Sequence, residues 1–376
     1  MRRLLGGLAG LALGAAAVAG SALAADVIKL GMIAPLTGGA AETGRYQMNG
    51  ARLAVEQINK AGGLLGRAVE LAIEDDQTTN PGAVNAFNRL ANDSRVVAFL
   101  APIRSTQVHA IAPAIARTAK PVAFGGTDPK LTRLKNPWLF RFRPNDEISA
   151  GAIVEFGTDV LQRKHWAIVH ATDAFGTSSA NLLVTALRGR GITPTTVQGF
   201  TTATQDFTPI VLAVKNSGAD IMVSFATADT DQAILAKQLK QFGVELPWIG
   251  SASIVSATAM KLAGADLYGT YGLSDYAVEA SPEATAFAGA YKAAYGAVPD
   301  FFASWAYDAV TVLAQAIKAA NSTDPQAMRK ALLETRGFKG AEGTYDFDAD
   351  GDGLHSYNIV QNRDGTPTFV KRVEAK

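Results

Sequence analysis

The sequence predicts an α/β protein of two similar lobes, each a parallel-type sheet with helices on both faces. Three observations carry this expectation. Short apolar runs alternate with segments of helical spacing from Val27 to Gly250, as strands joined by crossover helices do. The alternation restarts after Arg141-Phe142-Arg143-Pro144, so the same unit is laid down twice. Length points the same way: 376 residues, 48% apolar and 18% charged, suffice for two filled cores.

The first unit opens with Val27-Ile28-Lys29-Leu30-Gly31-Met32-Ile33-Ala34, an apolar run stopped by Pro35. It reads as a buried strand. Gly50 to Ile58 has helical spacing, and Gly62-Gly63 ends it. A strand over Val69–Ile73, a helix headed by Asn80-Pro81, a strand over Val96–Leu100, a helix over Thr106–Ala119 and a strand over Pro121–Phe124 follow. The second unit gives helices near Glu147–Leu161, Ser178–Arg188, Phe207–Asn216 and Gln232–Phe242. Its strands fall near Trp166–His170, Thr195–Phe200, Ile221–Phe225 and Trp248–Gly250. The last third differs. After a strand at Leu267–Leu273 come helices near Glu283–Tyr295, Phe302–Ala320 and Pro325–Leu333. Short runs at Gly343–Phe347, Tyr357–Gln361 and Thr368–Val373 then read as antiparallel strands.

The first 25 residues read as a cleaved export signal. Arg2 and Arg3 precede an apolar stretch from Leu4 to Val18, and Ala22-Leu23-Ala24 is a small-residue cleavage pattern. The stretch is broken by glycines and short for a membrane span of about 20 residues. There are no cysteines, which excludes disulfides, thiol nucleophiles and a lipid-anchored terminus. Lys+Arg and Asp+Glu nearly balance, 35 against 34, with no long basic run, so no nucleic-acid partner is expected. No phosphate-binding loop, nucleophile elbow or paired-histidine zinc motif is present. The four histidines lack ligand spacing. Asp348-Ala349-Asp350-Gly351-Asp352-Gly353 resembles the start of a calcium loop, but Ile359 stands where the closing glutamate belongs. Neither metal nor cofactor is expected.

In this order the motifs resemble the type I periplasmic binding proteins, specifically the branched-chain amino acid (Leu/Ile/Val-binding) group of ABC importers. The markers are Ile28-Lys29-Leu30-Gly31 with Pro35-Leu36-Thr37-Gly38, Asn49-Gly50-Ala51-Arg52-Leu53-Ala54, Glu74-Asp75-Asp76, Ala174-Phe175-Gly176, Asp206-Phe207-Thr208, Ser304-Trp305-Ala306-Tyr307-Asp308-Ala309 and Gly343-Thr344-Tyr345-Asp346-Phe347. They span essentially the whole mature chain. The resemblance implies three hinge crossings and two lobes, 26–145 with 275–354 and 146–274 with 355–376. It implies a periplasmic monomer that is no enzyme, holds an amino acid or related aromatic or aliphatic carboxylate between its lobes, and meets an importer's membrane permease. Two other functions stay open: a ligand-sensing subunit for a membrane receptor, and a secreted hydrolase.

Site residues follow from the loops that end the strands. Ala101-Pro102-Ile103-Arg104-Ser105-Thr106-Gln107 opens a helix, where backbone N–H groups favour an anion. In the family this loop grips the ligand carboxylate. Ser105 and Thr106 match its hydroxyl pair, and Arg104 could make a bidentate contact. The alternative makes Ser105 an N-cap and leaves Arg104 in solvent. Gly125-Gly126-Thr127 matches the family's next turn; Thr127 would add a hydroxyl and the glycines close backbone approach. Phe175 stands where many relatives cover the ligand with a tyrosine. Tyr46 offers a second aromatic, and either ring could instead be core. Amino-acid binders place an acid after the strand that here ends at Gly250, whereas this chain has Ser251-Ala252-Ser253. Asp229 is the candidate partner for a ligand ammonium, or simply a helix cap.

Overall fold

A computed structural model describes residues 27–374; the expected signal segment lies outside them. The first sheet contains β1 (Ile28–Ala34), β2 (Val69–Asp75), β3 (Val96–Leu100), β4 (Val122–Phe124) and β5 (Leu139–Arg141), all parallel in the order β2-β1-β3-β4-β5. Successive residues point to opposite faces of a strand, and here both faces are buried. Leu30, Met32 and Leu100 enter one core; Ile33 and Phe99 enter the other. Helix α1 (Ala41–Lys60) covers the first face, while α2 (Asn80–Ala91) and α3 (Ser105–Thr118) cover the second.

Leaving β5, the chain enters α4 (Asp146–Glu155), whose last turn widens into a π turn over Phe156–Val160. Then follow β6 (Trp166–Ala171), α5 (Ala174–Gly189), β7 (Thr196–Phe200), α6 (Thr208–Asn216), β8 (Ile221–Phe225), α7 (Asp229–Gln241), β9 (Trp248–Gly250), α8 (Ala257–Ala263) and β10 (Tyr271–Ser274). These strands are parallel to their neighbours in the second sheet. From β10 the chain returns to the first lobe. Here α9 (Pro282–Tyr295), α10 (Phe301–Ala320) and α11 (Pro325–Leu333) precede a two-stranded ribbon, β11 (Phe338–Lys339) with β12 (Thr344–Tyr345). Helix α10 packs along α1, burying Trp305, Val310 and Leu313 against the first sheet. The last hairpin, β13 (Ser356–Arg363) and β14 (Thr366–Glu374), completes the second sheet, where β13 lies antiparallel to β10.

The three passages between sheets are tied to one another by buried charge. Arg141 donates to Asp352 (2.8 Å), and Asn145 donates to the other oxygen of that carboxylate (3.0 Å). Arg143 pairs with Asp275, and Asn358 donates to the Asp275 carbonyl at 2.9 Å. The acidic turn at 348–353 therefore serves the hinge: Asp348 accepts from the backbone of Asp350 and Asp352, and Asp352 neutralises Arg141.

Candidate functional site

Strands of both sheets end facing one another, and the loops beyond their carboxyl ends enclose a cavity of about 70 Å³. Ligands of open α/β sheets bind beyond such strand ends. In the first lobe, Asp75 closes β2 and accepts the backbone N–H groups of Leu36 (2.9 Å) and Thr37 (3.2 Å). That contact fixes the loop bringing Pro35 and Thr43 to the cavity. Asp76, next along, accepts from the Thr78 N–H with one oxygen, while its other oxygen is buried without a partner.

Arg104, not Ser105, occupies the N-cap position of α3. Its guanidinium lines the cavity, and only charge at a distance acts on it among the described residues. Loss of water pulls its pKa down, and Asp76, Asp229, Asp173 and Asp231 oppose that in turn. Arginine stays charged through such shifts, so the cavity wall carries a cation with no hydrogen-bonded counter-ion. Ser105 lines the cavity beside it and accepts from the Asp128 N–H at 3.2 Å. Thr106 sits on the same first turn but outside the lining.

Thr127 is buried at the cavity wall, and its carbonyl accepts the N–H of Asp146 at 2.9 Å. Asp146 also lines the cavity. Burial pushes its pKa up to about 6, with the Thr127 and Ser179 hydroxyls opposing that rise. Gly125 and Gly126 lie behind the wall. A Cβ on Gly125 would meet Ile103 at 2.7 Å, and one on Gly126 would meet Leu131 at 2.8 Å. Their carbonyls accept from Arg143 (3.3 Å) and Arg141 (2.8 Å). The glycines thus let the loop pack against its own lobe and hold the hinge arginines.

From the second lobe, Phe175 enters on the first turn of α5, which Asp173 caps through the Gly176 N–H (2.8 Å). It packs edge-on against Phe225, with ring centroids 6.3 Å apart. Ser251 also lines the cavity, but its hydroxyl is engaged by the Ala226 N–H (3.3 Å) and Ser253 (3.1 Å), and Ser253 donates to the Ala226 carbonyl (2.7 Å). Asp229 lies outside the lining. It accepts from Thr43 of the opposite lobe at 3.1 Å, and burial pushes its pKa up to about 6. Tyr46 also lies outside, stacked on Tyr291 at 6.3 Å in the cluster between α1 and α9.

The structure adds lining residues that the sequence reading did not single out: Asp76, Arg143, Phe225, Phe301, Phe302 and Tyr357. Phe301 and Phe302 begin α10 behind the Asp300 N-cap, which accepts both the Phe302 and Ala303 N–H groups. The lobes touch around the cavity through Thr43–Asp229, through Ser178 donating to Asp128 (3.2 Å), and through the Ala257 N–H donating to Asp300 (3.3 Å).

A family model described as "Periplasmic binding protein" matches residues 27–367. The chain belongs to that family. A leucine-, isoleucine-, valine-, threonine- and alanine-binding protein of Pseudomonas aeruginosa is 29% identical, over 95% of this chain and 96% of its own length. The Leu/Ile/Val-binding protein homolog 3 of Brucella melitensis is also 29% identical, over 92% and 94%. Both of these relatives are named for branched-chain amino acids. The fold matches a leucine-binding protein of Thermotoga maritima with TM-score 0.86 at 24% identity, covering 93% of this chain and 99% of that one. It also matches a solute-binding protein of Rhodopseudomonas palustris, solved with 3,4-dihydroxy benzoic acid, with TM-score 0.84 at 21% identity over 93% and 98%. At those identities the likeness concerns the fold alone. This is a binding-protein family and not an enzyme family, and membership implies a periplasmic location. No helix among the described residues is long and apolar enough to cross a membrane.

Proposed function

We propose that the protein, exported with loss of residues 1–25, captures an amino acid or related small carboxylate between its lobes and delivers it to the membrane permease of an ABC importer. The closing bodies in this proposal are 26–145 with 275–354 and 146–274 with 355–376. One observation carries it: the Arg104 guanidinium stands at the cavity with no hydrogen-bonded counter-ion among the described residues, beside Ser105 and Thr127. A buried or half-buried cation calls for an anion, and the planar fork of arginine suits a carboxylate. Phe175 and Phe225 offer apolar surface for the rest of the ligand. Relatives named for amino acids and a structural neighbour solved with an aromatic acid both fit this class.

Calorimetry on wild type, Arg104→Ala and Thr127→Val, with small carboxylates and their amides, tests it. Losing one charge-assisted contact should cost about 1.5–3 kcal/mol, or roughly 10- to 150-fold in affinity. Acid and amide bound equally by wild type, or folded variants that keep full affinity, would count against the site.

A further inference from the structure

We propose that Asp76 determines specificity in the cleft by holding the ammonium of an α-amino acid whose carboxylate rests on Arg104, so that the first lobe reads both ligand charges and the strand ends of the second lobe add none. This rests on the carboxylate-binding function proposed above and narrows it. The resemblance puts the ammonium's acid after β9, on the second lobe, where this chain has Ser251-Ala252-Ser253. That lobe's strand ends give the wall Phe175, Phe225, Ala226, Thr227, Ser251 and Ser253, none of them charged. Their hydroxyls are engaged. Ser251 and Ser253 hold the Ala226 backbone and one another, and Thr227 donates to Asp173. Burying an ammonium without a partner is costly, so its acid must come from elsewhere.

An α-amino acid carries both charges on one carbon. A carboxylate on Arg104 therefore fixes the ammonium close to the guanidinium. Asp76, Asp229, Asp173 and Asp231 all act on Arg104, Asp76 most strongly, and of these four only Asp76 lines the cavity. The others stand behind the wall. Asp229 accepts from Thr43 (3.1 Å), Asp173 accepts the Gly176 N–H (2.8 Å) and the Thr227 hydroxyl, and Asp231 accepts the Ala203 N–H (3.1 Å). Asp76 is 1% exposed, and one of its oxygens accepts the Thr78 N–H at 2.7 Å. Its other oxygen is buried with no hydrogen-bond partner among the described residues. The nearby Gln107 amide donates instead to the Thr79 carbonyl at 3.2 Å. A buried carboxylate oxygen normally has a donor, and a ligand ammonium supplies one here.

Asp146 also lines the cavity with one oxygen open, but its surroundings differ. The Thr127 and Ser179 hydroxyls bond it, and the cations acting on it are the hinge arginines Arg141 and Arg143. Asp146 thus answers to the hinge, whereas Asp76 answers to the seat of the carboxylate. Asp76 follows β2 and Arg104 follows β3, strands of one sheet with only β1 between them. The pair therefore belongs to one rigid body and is set before the lobes meet.

Calorimetry with three matched pairs isolates the claim: L-alanine with propionate, L-leucine with isocaproate, and L-phenylalanine with hydrocinnamate. The second member of each pair is the deaminated form of the first. In the tightest-binding pair the amino acid should bind more tightly than its deaminated partner. Asp76→Asn should weaken the amino acid about 10- to 150-fold and leave the deaminated acid as tight or tighter. A purely structural role for Asp76 would weaken both alike. Asp229→Asn should leave the preference in place. A crystal structure of wild type with the tightest-binding amino acid decides the point even if Asp76→Asn does not fold: the ligand nitrogen is expected within about 3 Å of Asp76. A deaminated acid that binds as tightly as its amino acid would overturn the inference and leave a carboxylate-binding protein in place. So would equal weakening of both by Asp76→Asn, loss of the preference in Asp229→Asn, or a nitrogen seated on Asp146 or on the second lobe. Silence from all six compounds would overturn the carboxylate reading as well.

Discussion

In the proposed function, recognition turns on Arg104. It caps α3 by backbone alone, which leaves its side chain free to face the cavity. Asp76 works against it, because the acid shares its charge with any anion that enters. Asp76→Asn should therefore tighten binding of a simple carboxylate, by roughly 2- to 10-fold for the loss of one nearby like charge, measured by calorimetry. Weaker binding would show that Asp76 receives a ligand donor. That Arg104, Ser105, Thr127, Phe175 and Ser251 line the cavity was legible in the sequence, because each follows a strand end, where an α/β fold places its ligands. Phe301 and Phe302 were not, since aromatics opening an Ala-rich helix read as core. The Asp300 N-cap directly before them was the available signal of a helix start. Asp229 was legible as an inward acid, but a loop sequence carries nothing about the Thr43 hydroxyl it meets across the cleft.

At the scale of elements, the alternation of strands and helices could be read because strands β1 to β10 run parallel within their sheets, and the central ones, such as β1, β3 and β8, are mostly apolar and buried. Strand β5 was missed: three residues, Leu139–Arg141, are too few for any periodicity. Helix α5 begins at Ala174, ahead of the expected Ser178, because Asp173 caps it and Gly176 tolerates the close approach of the Ala171 backbone. Helix α4 gives way to the π turn at Phe156, which apolar spacing alone cannot separate from a continued helix. The hinge was expected from the resemblance, but its chemistry was not. Arg141 is fully buried, and among the described residues Asp352 is its one carboxylate partner. Removing one member of a buried pair leaves an uncompensated charge, so Asp352→Ala should destabilise the fold by about 3–5 kcal/mol. Urea unfolding measures this, and a loss under about 1 kcal/mol would mean that water reaches the pair.

Across the whole molecule, several carboxyls are buried where lobes or elements meet. Burial pushes Asp300 and Asp308 up to about 7, and Asp229 and Asp231 up to about 6, from an ordinary value of 3.8. A folded-state pKa above the unfolded one means that the folded protein holds protons the unfolded chain has released. The stability this linkage supplies is complete below about pH 4 and is lost as pH rises through 6 to 7. The melting temperature should accordingly decline from pH 5 to pH 7.5 and level off beyond. Asp300→Asn keeps a competent N-cap and should flatten part of that decline. A melting temperature that rises steadily over the same window would contradict the burial of these acids.

The most direct test of carboxylate capture between the lobes is a crystal structure of the protein soaked or grown with benzoate. Density for the carboxylate is expected within about 3 Å of the Arg104 guanidinium, with the ring between Phe175 and Phe302. Benzoate seated elsewhere on the surface, with the cleft holding only water and Arg104 turned to Asp76, would contradict it.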